Sequence, residues 1–198
     1  MHVMPLAVKL LEPVSDDLLL RLSRLNDGLR FERTASGELL VSPPTGGATG
    51  AKNAALSAQL FIWNETCGRG VVFDSSTGFR LPDSSVLSPD ASWVVRAAWD
   101  ALTETQRRGY PPICPQVVFE LVSASDEPYD TRRKIASYLT NGCALGILLD
   151  PYKRVVETYA QGEAVTIAHD PATLVIERRF FPGATADLNL DVAKIFGT

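Results

Sequence analysis

Residues 116–151, QVVFELVSASDEPYDTRRKIASYLTNGCALGILLDP, decide the fold. VVFELV at 117–122 is short, β-branched and aromatic, the composition of a buried strand. The polar stretch after it reads as a helix over 126–140, closed by Asn141-Gly142, and ALGILL at 144–149 is a second buried strand ending in an Asp-Pro turn. A strand, a helix and a strand in this order predict a parallel pair joined by a right-handed crossover, hence an α/β domain. One residue breaks the apolar run. Glu120 shares a strand face with Val118 and Val122, opposite Val117, Phe119 and Leu121, and a lone carboxylate buried there costs several kcal/mol unless something compensates it.

The chain of 198 residues suits one domain, expected over residues 1–198, with 45% hydrophobic and 21% charged residues, a folded rather than disordered composition. Nothing approaches the roughly 18 consecutive apolar residues of a membrane span. The start, MHVMPLAVKLLEP, lacks a basic segment followed by a long apolar one, so a cytoplasmic location is expected. Cys67, Cys114 and Cys143 are far apart and form no CxxC or Cys/His cluster, which argues against structural zinc and a disulfide framework; Cys143 reads as a small core residue. His2 and His169 are the only histidines, one near the terminus and one in the turn-like AHDPA, so triad chemistry built on imidazole is disfavoured. A formal charge of −4 argues against strong non-specific nucleic-acid binding. The groups Arg107-Arg108, Arg132-Arg133-Lys134, Lys153-Arg154 and Arg178-Arg179, each taken alone, read as solvated surface.

Outward from the central stretch, Ser15 caps a helix with Leu18, Leu22 and Leu25 on one face, stopping at Gly28. LRFERTASGELLVS then reads as two strands around a Ser-Gly turn. SPPTGGATG lacks the Lys-Ser/Thr that a phosphate-binding P-loop needs, and leads instead into a helix over AKNAALSAQLFIWNETCG with Ala55, Ala58 and Ile62 along one side. Strand segments follow in 70–95, a helical excursion in 96–109, an exposed strand at RVVETYA and short strands in AVTIAH and ATLVIERRF. No internal repeat or linker is evident.

Pro89 marks a strand start, with Asp90 directly after it. An Asp after Pro is an ordinary cap or turn residue, but two carboxylates brought together from adjacent strands, Asp90 and Glu120, repel each other unless a proton or cation lies between them. A hard divalent ion, Mg²⁺ or Mn²⁺, takes such oxygens, and the backbone carbonyl of Leu121 can add another. Such an ion polarises a phosphoryl oxygen and activates water, and a nearby lysine orients it. Asp130, Lys134 and Tyr138 form one helical stripe; Lys134 is either half of a surface pair with Asp130 or the site's lysine.

In these residues the chain resembles a known family. PPTGGATG, VVFDSSTGF, LSPDASWV, CPQVVFELVSASD, RRKIASYLTNGCALGILLDP and the closing FPG are similar, in order over residues 15–196, to the Uma-two family of restriction-endonuclease-like proteins in the PD-(D/E)XK nuclease superfamily. The resemblance implies a four-stranded mixed sheet flanked by helices, here with an extra N-terminal hairpin and helix. It makes Asp90 and Glu120 the metal-binding acids and implies an assisting lysine. The pattern wants that lysine at position 122, where the chain has Val122, so the role passes to Lys134 on the next helix. The family's acid in the early hairpin resembles Glu32, with Glu38 the competing choice; Thr49 stands where many relatives have histidine. The resulting expectation is a Mg²⁺- or Mn²⁺-dependent endonuclease acting on DNA, with Asp90, Glu120 and Lys134 catalytic, and with a homodimer as one arrangement that would bring two sites to two strands. The alternative is a catalytically inactive nuclease-fold module for binding or regulation.

Overall fold

In the computed structural model, which describes residues 6–124 and 128–197, chain order begins with strand β1 (Leu6–Val8), helix α1 (Asp16–Leu25), and the hairpin β2 (Arg30–Arg33) and β3 (Leu39–Ser42). Helix α2 (Gly47–Trp63) runs on through a π-helical turn, Asn64–Gly68, and ends where Arg69 takes a left-handed conformation. Strands β4 (Val71–Asp74), β5 (Phe79–Arg80), β6 (Val86–Leu87) and β7 (Ala91–Val94) follow, then two short helices, α3 (Arg96–Asp100) and α4 (Glu104–Arg108). The central unit is β8 (Val117–Leu121), α5 (Pro128–Thr140) and β9 (Leu145–Asp150). The chain closes with β10 (Val155–Ala160), β11 (Thr166–His169), β12 (Thr173–Ile176), a 3-10 turn, β13 (Leu188–Asp191) and α6 (Val192–Phe196).

A mixed six-stranded sheet in the order β11-β10-β9-β8-β7-β4 forms the centre; β8 and β9 pair in parallel across α5, as the sequence predicts, and the other pairs are antiparallel. It has six strands where the resemblance implied four. Period-two alternation sends Val117, Phe119 and Leu121 to one face, with Leu145, Ile147 and Leu149 of β9 and with Leu56, Leu60 and Trp63 of α2. The other face takes α5: Val122, Ile135 and Leu148 pack together, and Val118 meets Tyr138 and Cys143. Gly146 permits this close approach, since a Cβ there would lie 2.5 Å from Ile135 Cγ2. A second, five-stranded sheet, β1-β3-β2-β6-β5, carries α1 on Phe31 and Val86, and β12 pairs with β13 separately.

Several sequence expectations shift. Ser15 does cap α1, accepting from the Leu18 amide, but the helix buries Leu19 rather than the Leu18 and Leu25 stripe. Helix α2 begins at Gly47, and its buried residues are Thr49, Leu56, Leu60 and Trp63; Ile62 is 66% exposed. In both helices the apolar residues outnumber one face, so the partner surface chooses the stripe. RVVETYA is no exposed strand: β10 lies between β9 and β11 and buries Val156 and Glu157. The excursion in 96–109 is two helices, the second opened by a capping box between Thr103 and Gln106. His169 ends a strand rather than lying in a loop. His2, Asp126 and Glu127 lie outside the described residues. No helix among the described residues is long and apolar enough to cross a membrane.

Candidate active site

β7 and β8 run antiparallel with Ala91 opposite Phe119, so one further step in register sets Asp90 opposite Glu120. Directly opposed side chains share a face, with Cβ atoms typically about 5 Å apart. Asp90 turns one oxygen onto the β8 backbone, where the Leu121 amide donates to Oδ2 at 2.8 Å. Its other oxygen meets α2, the Asn53 amide donating to Oδ1 at 3.4 Å. Both carboxylates are buried: Asp90 is 9% and Glu120 4% exposed.

Helix α5 supplies the cation. Lys134 Nζ lies 3.1 Å from Glu120 Oε1 and 3.2 Å from Glu32 Oε1, and donates to the Ser88 carbonyl at 2.6 Å. Thus Lys134 belongs to the cluster and not to a surface pair; Asp130 instead faces Arg133, 3.9 Å away, on the exposed side of the helix. The hairpin choice also resolves. Glu32 is buried and accepts from the Ser88 amide at 2.7 Å, whereas Glu38 pairs with Lys9 at 3.6 Å. Ser88, just before Pro89-Asp90, is therefore held through its amide by Glu32 and through its carbonyl by Lys134. Two sheets and a helix meet at that one residue.

Sequence reasoning missed two members. Arg30 Nε lies 3.7 Å from Glu32 Oε2 and its Nη1 3.8 Å from Asp90 Oδ1. It stands two residues before Glu32 on the same strand, a spacing that puts both side chains on one face and was available as a signal. Asn53 gave none, because the α2 stripe itself was misassigned. Tyr138, one turn beyond Lys134, is fully buried with its hydroxyl unpartnered.

The charges settle unequally. Burial pushes the Glu120 carboxyl up to about 8; Lys134 opposes this, while the like charges of Asp90 and Glu32 add to it. Burial also opposes ionisation of Glu32, but Lys134, Arg30 and the Ser88 amide outweigh it and hold that carboxyl below its ordinary range. Burial works against the Lys134 ammonium too, yet Glu120 and Glu32 keep it above its usual value. Read from Lys134, the pair with Glu120 is favourable; read from Glu120, it falls short. Lys134 is shared almost evenly between the two glutamates, at 3.1 and 3.2 Å; Glu32 has the Ser88 amide and Arg30 besides, whereas burial and the neighbouring acids outweigh the lysine at Glu120.

Two acceptor oxygens at the cluster are buried without a hydrogen-bond partner, Glu120 Oε1, close to Lys134 but misaligned with it, and Asn53 Oδ1. Such orphans cost about 1–3 kcal/mol each. With Asp90 on the neighbouring element, the donors on offer are all oxygen, the chemistry that suits a hard divalent cation. Among the described residues, no three His, Cys, Asp or Glu side chains are arranged as a ready metal cage. The fit is thus two carboxylates and neutral oxygens rather than an acid cluster.

A mixed sheet with a parallel crossover thus carries Asp90 and Glu120 from adjacent strands and Lys134 from the crossover helix. The same fold occurs in a crystal structure described as that of "a putative nuclease belonging to DUF820" from Anabaena variabilis, at a TM-score of 0.73 and 19% identity, over 93% of this chain and 98% of that one. The Uma2 family model, described as "Putative restriction endonuclease", matches residues 16–193, and the chain belongs to that family. Among curated proteins there is no match.

Proposed function

We propose that this chain hydrolyses DNA phosphodiester bonds with the help of Mg²⁺ or Mn²⁺ held by Asp90 and Glu120, the Leu121 carbonyl and Asn53 Oδ1 being the further oxygens at hand. The observation that carries this reading is the buried Glu120 oxygen left without a hydrogen bond, opposite a second buried acid and beside a lysine. A bound ion would polarise a phosphoryl oxygen and lower the pKa of a water. The chain's own groups do the rest. Asp90, fixed by the Leu121 amide, and Glu120, fixed on β8, hold their oxygens on rigid strands. Lys134, anchored by Ser88 and Glu32, presents an ammonium where negative charge grows as water adds to phosphorus and the ester oxygen leaves with a proton. Its route from α5 replaces the lysine absent at Val122.

A second reading, an inactive nuclease-fold module for binding or regulation, has one observation in its favour: Lys134 and Arg30 already pair with the three acids without a metal. Cleavage of supercoiled and single-stranded DNA, with RNA as control, in Mg²⁺ or Mn²⁺ separates the two. Wild type is expected to cut and Glu120→Ala not to; a wild type that cuts nothing, or a mutant that cuts equally well, removes the catalytic reading.

A further inference from the structure

Resting on that nuclease reading, we propose that Arg30 is a substrate-contacting residue of the site, the group that grips a phosphate of the bound strand. Its surroundings separate it from the other cation. Lys134 is tightly held in the resting site, with Ser88, Glu120 and Glu32 oxygens at 2.6–3.3 Å, and its side chain is 17% exposed. Arg30 has ion-pair contacts at 3.7 and 3.8 Å, no guanidinium hydrogen bond among the described residues, an unpartnered Nε, and a side chain 34% exposed.

Arg30 lends its charge to Glu32 and Asp90 but is the nearest partner of neither. Glu32 already has Lys134 and the Ser88 amide, and Asp90 has the Leu121 amide and Asn53, all closer than the guanidinium. What remains is a planar fork of donors in loose ion pairs and without a hydrogen bond among the described residues, on a side chain that is one-third exposed beside a buried acid cluster. Guanidinium matches a phosphodiester in a bidentate fashion and holds its charge at any working pH. The two carboxylates orient the fork without consuming it, and a phosphate arriving beside Asp90 would meet the free donors. The net charge of −4 makes such a local cation the more necessary for a polyanionic ligand.

The test uses a short fluorescein-labelled DNA duplex, with anisotropy read in EDTA across about 50–200 mM salt, alongside plasmid cleavage in Mg²⁺ and thermal melting. Arg30→Gln is expected to fold and melt modestly below wild type, bind about tenfold more weakly, and show a salt slope shallower by about 0.9. Arg30→Lys is expected to recover the slope but not the affinity, since it keeps the charge and loses the fork. Binding and cleavage by Arg30→Gln equal to wild type overturn the assignment while leaving the nuclease reading in place. Full wild-type affinity in Arg30→Lys overturns the bidentate grip, and a large fall in melting temperature with an unchanged salt slope makes Arg30 a counter-ion only. A wild type that neither binds nor cuts the DNA overturns the nuclease reading and this one with it.

Discussion

Two buried glutamates stand on one face of the central sheet, on either side of Leu148, which pairs with Glu120 across β8–β9 and with Glu157 across β9–β10. Both meet helix α5 and both face a basic residue from it. Glu157 is fully served: Arg132 donates to it through Nε at 2.9 Å and Nη2 at 2.5 Å, and the Tyr159 hydroxyl donates as well. Glu120 shares a lysine with Glu32 and keeps one oxygen without a hydrogen bond. The same residue type, sheet face and helix thus give opposite electrostatics. A bidentate guanidinium, half in water, supports one carboxylate, while burial among other acids frustrates its neighbour. Glu157 ties the helix to the sheet; Glu120 is kept at a cost, which makes it the functional candidate of the two.

The most severe test of this contrast removes the cation that Glu120 and Glu32 share. Lys134→Ala would leave two buried carboxylates without their lysine, and unfolding in urea is expected to show a loss of about 3–5 kcal/mol, with cleavage abolished. A variant as stable as wild type would mean that the acids are neutralised some other way.

Next in size is the reciprocal pair of substitutions. Glu120→Gln removes a charge that burial disfavours and is expected to raise the melting temperature in EDTA while lowering cleavage by about 10²–10³-fold, the scale of a lost transition-state contact. Glu157→Gln is expected to do the reverse, costing about 1–3 kcal/mol of stability with cleavage little changed at a temperature where the protein is folded. If Glu120→Gln proves the less stable of the two, the division between a supporting and a working carboxylate is wrong.

The sequence carries this contrast unevenly. Glu120 is legible because a period-two strand exposes an acid among valines at once, and Lys134 because a helix stripe four residues apart follows that strand directly. Asp90 is legible from the proline before it. Glu157 is not: in RVVETYA alternation suggests a surface acid, and only the placement of β10 inside the sheet, with Arg132 coming over from α5, buries it. Arg132 accordingly reads as solvated surface when it is half of the bridge. Asn53 and the true faces of α1 and α2 escape for a related reason. Apolar residues on several sides of a helix leave the choice to partners distant in sequence, and local pattern holds no record of them.

The gentlest test uses pH, because the two glutamates should tilt the stability curve in opposite directions. With its carboxyl raised to about 8 in the folded metal-free protein, Glu120 binds a proton that the unfolded chain has released. Its contribution is complete below the ordinary carboxylate pKa and is lost as pH rises through about 8, with a slope of at most about 1.4 kcal/mol per pH unit. Glu157 is held below its ordinary value, chiefly by the hydrogen bonds from Arg132 against some cost of burial. Its contribution is complete above the ordinary carboxylate pKa and is lost as pH falls through the lowered folded value. Melting temperatures from acid to mildly alkaline pH in EDTA should therefore flatten on the alkaline side in Glu120→Gln and on the acid side in Glu157→Gln. An alkaline limb that survives in Glu120→Gln would place the titrating proton elsewhere in the cluster, and the unpaired Glu120 oxygen would no longer explain why the sheet tolerates it.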